Sequence, residues 1–219
     1  YKTISPLIEQ IFTIPSGGGS ENQLTFDNYR HVYPFWSPDG NWIGYSKIDA
    51  SGFVKKYKIL STGGSEILIT PDDISHQGGD WSPDGNYIVY DRPDGTGREQ
   101  IYKISSDGGS EIQLTFDTIN QGSGGPKWSA NGNYIVYYKL MSSFIWQIFV
   151  IRVSGGTEQQ QTFDGYWHRL PRFSPDGTKI VYQKLDATGH EQIYMCDFIP
   201  PPGGPPIPVL TPPVLIILI

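Results

Sequence analysis

The chain has 219 residues, 37% apolar and 14% aromatic, with 26 glycines and 18 prolines; this suits many short strands joined by tight turns and excludes a mostly helical protein. A net charge of −6 and a pI near 5.1, with no Lys/Arg cluster, exclude nucleic acid and anionic membrane surfaces as partners. The single Cys196 excludes an intrachain disulfide, and the only continuous apolar run, Val214 to Ile219, is too short to span a bilayer.

In chain order, the first predicted strand is Gln10-Ile11-Phe12-Thr13-Ile14, followed by Gly18-Gly19 and then Leu24-Thr25. This landmark returns around Lys56-Tyr57-Lys58, Gln100-Ile101-Tyr102, Gln147-Ile148-Phe149 and Gln192-Ile193-Tyr194, each ahead of a Gly-Gly pair. Between its copies lies a second one, Trp36-Ser37-Pro38-Asp39-Gly40 leading into Asn41-Trp42-Ile43-Gly44-Tyr45. It recurs from Trp81, from Trp128 with Ala130-Asn131 in place of Pro-Asp, and from Phe173, at spacings of 45, 47 and 45 residues. A period in that range marks a repeat architecture.

Each unit predicts four strands. The first leads into Ser-Pro-Asp-Gly, a hairpin turn in which Pro presets φ and Gly supplies a positive φ. The second is the alternating Asn-Tyr-Ile-Val-Tyr type, the third Gln-Ile-Tyr, and the fourth ends at Leu-Thr; alternation with β-branched and aromatic residues is the half-buried strand signature. Antiparallel four-stranded units repeated around an axis describe a β-propeller. Five copies of the later landmark against four of the earlier one mean that the first unit lacks its opening strand. The expectation is one all-β domain over 1–219, a five-bladed propeller, with the C-terminal strand Val214–Ile219 completing the first blade.

Trp-Ser-Pro-Asp-Gly, a hydrophobic strand, Gln-Ile-Tyr, Gly-Gly and Leu-Thr in fixed order resemble the TolB-type, WD-repeat-like β-propeller family over essentially the whole chain. The resemblance implies protein-interaction propellers of the periplasm, or gating propellers of serine peptidases, and hence a soluble, secreted or periplasmic chain. No Gly-x-Ser-x-Gly nucleophile turn occurs here. Fold resemblance does not carry function across by itself.

Candidate sites follow from counting along the repeat. The recurring Asp39, Asp84 and Asp176 read as turn residues bonding their own backbone, and Trp36, Trp81, Trp128 and Phe173 as core rings. Five residues before each ring stand His31, His76 and His168, with Ser123 in the remaining unit. Imidazoles around one central channel would suit a divalent transition metal such as Zn²⁺, Cu²⁺ or Fe²⁺. The same connections carry Tyr29, Arg30 and Tyr33, Asp73, and Tyr166, Trp167 and Arg169, a binding surface built on loops that differ while the scaffold repeats. The reading favoured is a monomeric, non-catalytic binding module whose channel-mouth face takes a protein or small ligand. The rivals are a glycan-binding lectin and a metal-dependent enzyme with its histidine site in the channel.

Overall fold

A computed structural model describes residues 1–5, 8–70, 74–116, 125–141 and 145–203. Its strands group into five successive units of antiparallel sheet, with no helix among the described residues. The first unit is β1 (Lys2–Ser5), β2 (Ile8–Gln10), β3 (Phe12–Thr13) and β4 (Asn22–Gln23); β1 pairs with β2 and β3 with β4. Because β2 and β3 are one run interrupted at Ile11, this unit holds repeat strands two, three and four, as the landmark count predicts.

Three complete blades follow. The second is β5 (Arg30–Trp36), β6 (Trp42–Ile48), β7 (Val54–Leu60) and β8 (Ile67–Leu68). The third is β9 (Gln77–Trp81), β10 (Tyr87–Pro93), β11 (Glu99–Ser105) and β12 (Ile112–Gln113). The fourth is β13 (Lys127–Trp128), β14 (Tyr134–Leu140), β15 (Trp146–Arg152) and β16 (Gln159–Gln160). The last unit has β17 (His168–Phe173), β18 (Lys179–Leu185) and β19 (Glu191–Asp197). The C-terminal strand expected over Val214–Ile219 lies outside the described residues.

Both landmarks have a bonding reason. In the turn, Ser37 Oγ accepts the Trp42 N–H at 2.9 Å and donates to Asp39 at 2.5 Å, while the Gly40 N–H reaches the Ser37 carbonyl at 3.0 Å. Asp84 and Asp176 repeat the pattern, so these carboxylates are turn residues. The hydroxyls of Thr25, Thr70, Thr115 and Thr162 accept the N–H of Ile11, Lys56, Ile101 and Ile148 at 2.9 to 3.0 Å. Each Leu-Thr or its equivalent thereby pins the end of the outermost strand to strand three.

The core lies between blades, because alternate residues of a strand face opposite neighbours. Val89, Ile101 and Leu114 of the third blade pack with Trp128, Ile135 and Tyr137 of the fourth, whose Val136, Ile148 and Val150 pack with Ile180 and Tyr182 of the last. Trp81 and Trp128 are buried, as expected, whereas Trp36 is 56% exposed. Trp81 rests on Phe35 and Ile69 of the blade before it. The equivalent of Phe35 for Trp36 would come from an innermost strand of the first blade, and none is among the described residues. Cys196 is half-buried beside the Ile180 cluster, and burial raises its thiol pKa.

Candidate functional site

The innermost strands do not run straight. Val32 pairs with Ser46 and Phe35 with Gly44, so Tyr33-Pro34 stand against Tyr45 alone. Gly78-Gly79 stand likewise against Tyr90, and Leu170-Pro171 against Tyr182. Each is a bulge with two residues opposing one, a device that re-aims side chains. The residue three before the aromatic ring takes a left-handed backbone in all four blades, with φ of 53° at Tyr33, 59° at Gly78, 75° at Gly125 and 52° at Leu170.

These strand segments line a cavity of about 630 Å³, within the usual range of ligand sites. Arg30, Tyr33, Gln77, Lys127, Leu170 and Arg172 are among its walls. Tyr33 and Leu170 are 65% and 46% exposed there. Lys127 donates to the Gly79 carbonyl at 2.6 Å and lies 3.5 Å from Asp80, whose other oxygen accepts the Trp128 N–H at 2.9 Å. Burial pushes the Lys127 pKa down against the pull of Asp80, and the neighbouring Arg172 charge lowers it further. Burial likewise lowers Arg172 although water reaches its side chain, because protein surrounds it on the cavity wall.

Behind the wall sits a buried pair. Lys56 is fully buried and donates to Ser46 Oγ at 2.7 Å and to the Gly78 carbonyl. Asp91 is fully buried and neither carboxylate oxygen has a hydrogen-bond partner among the described residues. Desolvation raises the Asp91 pKa to about 7 against the Lys56 charge, and lowers Lys56 to about 7 against the Asp91 charge.

The histidines expected to share a metal do not converge. Each is buried and packs on the tyrosine opposite its own bulge, at ring separations of 5.5 Å for His31–Tyr45, 5.1 Å for His76–Tyr90 and 5.2 Å for His168–Tyr182. Their polar partners also belong to the connections around them. His31 Nε2 meets Glu66 at 2.9 Å, His76 Nε2 meets Glu111 at 3.0 Å, and His168 Nε2 lies 3.3 Å from Asp164. Where Ser123 replaces histidine, the Tyr137 hydroxyl and Lys139 bind Glu158 at 2.5 Å.

Asp27, His31 and Glu66 are the one described group whose ligand atoms lie close enough to share an ion, within 4.8 Å. Lys47 already pairs there with both carboxylates, at 2.5 Å from Asp27. An incoming metal would have to displace that ammonium. Sequence reading passed over this network, although its signal was present as Gly-Gly-x-Glu at Glu21, Glu66, Glu111 and Glu158.

Glu111 gives the network a pH signature. Burial alone would raise its carboxyl, but hydrogen bonds from His76, Tyr90 and Arg92 bring it down to about 2. A depressed carboxyl stabilises the fold above its ordinary range, near 4.3, and that contribution is lost as pH falls toward about 2. Glu111→Gln should therefore flatten the loss of stability between pH 5 and 2, as measured by urea midpoints at stepped pH. An unchanged acid slope would contradict the assignment.

Of the expected binding residues, Arg30 and Tyr33 reach the cavity, while Tyr29, Tyr166, Trp167 and Arg169 stand outside its lining. Asp73 lies outside the described residues. Arg30 is held by Glu9 through its Nε at 2.8 Å, and Arg169 by Glu191 at 2.5 Å. The Lys47 ammonium lies 5.3 Å from the Tyr29 ring centre and that of Lys184 4.9 Å from Tyr166, while Arg169 lies 5.7 Å from Trp167. One face of each ring is thus already covered by a cation, which disfavours sugar stacking there. Reading the repeat missed Lys127, Leu170 and Arg172. Counting one and three residues back from the aromatic ring, instead of five, finds them.

Blades whose bulged inner strands surround an axial cavity define a β-propeller with a ligand-sized channel. The chain belongs to the TolB beta propeller domain family, whose profile matches residues 72–198. It is similar to a TolB structure from Agrobacterium tumefaciens, with a TM-score of 0.72 and 25% identity over 85% of this chain and 69% of that one. A TolB from Acinetobacter baumannii superposes with a TM-score of 0.74 at 17% identity, over 86% of this chain and 46% of that one. An oligogalacturonate lyase in complex with manganese shares the fold at a TM-score of 0.67 and 18% identity, covering 87% of this chain and 54% of that one. No curated protein matches the chain. No helix among the described residues is long and apolar enough to cross a membrane.

Proposed function

We propose that the chain is a non-catalytic binding module that takes a segment of a protein partner into the axial cavity through the channel-mouth face. The observation that carries this reading is the backbone at Tyr33 and Leu170. A left-handed conformation costs an L-residue about 1–2 kcal/mol, and the equivalent positions Gly78 and Gly125 avoid that cost. Keeping bulky, exposed side chains at strained positions on a cavity wall supports a role in contact.

Peptides selected from a random display library on the purified chain test it. They should compete with one another and lose binding when Tyr33 and Leu170 are changed to alanine. Selected peptides that bind the double variant unchanged would place recognition elsewhere and sink the proposal. Tyr33→Gly should separate fold from function: relieving the backbone strain raises stability by up to about 1 kcal/mol, read by urea unfolding, while peptide binding weakens.

A further inference from the structure

We infer that the axial cavity recognises the carboxylates of an acidic peptide segment, with Lys127 and Arg172 as the residues that hold them. This rests on the binding-module reading above and specifies its ligand.

The first observation is a charge inversion. The chain carries 22 acidic against 16 basic residues, yet the cavity lining includes Arg30, Lys127 and Arg172 and no Asp or Glu among the described residues. A concave wall of one sign concentrates ions of the other, and its low-dielectric surroundings strengthen the attraction.

The second observation is that these cations are unequally satisfied. Arg30 is committed to Glu9. Lys127 has a carbonyl and a carboxylate 3.5 Å away. Arg172 donates to the Pro171 carbonyl at 3.0 Å and has no ion-pair partner among the described residues. The Arg172 charge also depresses the Lys127 pKa, and Asp80 pulls on both cations while its other oxygen accepts the Trp128 N–H. An anion between the two cations would relieve their repulsion and give the guanidinium the two-pronged partner its geometry favours.

The remaining walls select among anions. Val32, Phe35, Ile48, Val54 and Leu170 give the cavity an apolar surface beside its charges. A segment with carboxylates next to aliphatic groups would satisfy both, whereas a nucleic-acid backbone brings phosphates with no aliphatic group beside them for the apolar wall. The space of about 630 Å³ admits a few side chains, not a folded domain.

Fluorescein-labelled hexaglutamate, hexaglutamine and hexalysine, titrated by anisotropy against the full chain, provide the test. Hexaglutamate should bind saturably and weaken with added salt, and the other two should not bind. Lys127→Gln and Arg172→Gln should each weaken hexaglutamate at least about tenfold, whereas Lys179→Gln, paired with Asp197 on an exposed strand, should not. The comparison of the three peptides needs no variant, so a folding defect leaves the inference testable. Hexaglutamine binding as tightly as hexaglutamate, or both cavity variants binding normally, would overturn it. Inorganic phosphate displacing the peptide at equal concentration would overturn the peptide assignment. Selected peptides that need Tyr33 and Leu170 but carry no acidic residues would end this inference while leaving the binding-module reading intact.

Discussion

Lys56→Ile and Asp91→Ser should each cost about 3–5 kcal/mol alone, while the double variant should range from unchanged to about 4 kcal/mol more stable than the parent. Removing one partner leaves the other charge in a site buried from bulk solvent, and removing both removes the desolvation cost itself. The replacements come from the repeat: the position of Lys56 holds Ile11, Ile101, Ile148 and Ile193 in the other units, and that of Asp91 holds Ser46 in the second blade. Urea unfolding of the four proteins at pH 7 gives the coupling directly. A double variant as unstable as the sum of the singles would refute the pairing.

The pH dependence follows from the direction of each shift. Asp91 has its folded pKa raised to about 7, so its contribution falls as pH rises from its unfolded range, near 3.9, through 7. Lys56 has its folded pKa lowered to about 7, so its contribution recovers as pH rises from 7 toward its unfolded value near 10.4. The pair is least favourable near pH 7. The advantage of the double variant should therefore be largest there and shrink on both sides.

Most of the architecture was legible because the signals were local. Ser37, Pro38, Asp39 and Gly40 make their turn with their own atoms, and Thr25 and its equivalents bond a strand fourteen residues back. The histidines misled for a reason that is also physical. On a straight strand, residues five, three and one before the ring share a face. The bulge adds a residue between them, and a one-residue slip reverses the faces beyond it. Val32 and Gln77, four before the ring, line the cavity, while His31 and His76, five before it, are buried within their blades. Nothing in a tryptophan-based count reveals that slip, although Pro34 and Pro171 beside Gly79 hint at an irregular strand. The lysine at position 56 was visible as a departure from isoleucine. Its partner Asp91 needed the structure, since the two are far apart in sequence and meet across the second and third blades.

Gly78→Ala should be among the most damaging single changes in the chain, costing about 4 kcal/mol or more. A methyl group there would lie 2.3 Å from the Gly125 Cα and 2.9 Å from an Asp91 oxygen, on a residue whose φ is +59°. Backbone cannot rotate away as a side chain can, so the innermost strands of the third and fourth blades would have to separate. Gly125→Ala should cost less, because its methyl would approach the Gly78 Cα at 3.0 Å, and an exposed glycine such as Gly40, with open space around it, less again. Urea midpoints of the three variants should fall in that order, with Gly78→Ala lowest or failing to fold, and equal midpoints for Gly78→Ala and Gly40→Ala would refute the contact. The order matters for the cavity as well as for stability. One side of the ring brings backbones together at paired glycines in front of the buried Asp91, and the other keeps Tyr33 and Leu170 at the same repeat position. One bulge thus serves as a seam between blades on one side and as a platform for contact residues on the other.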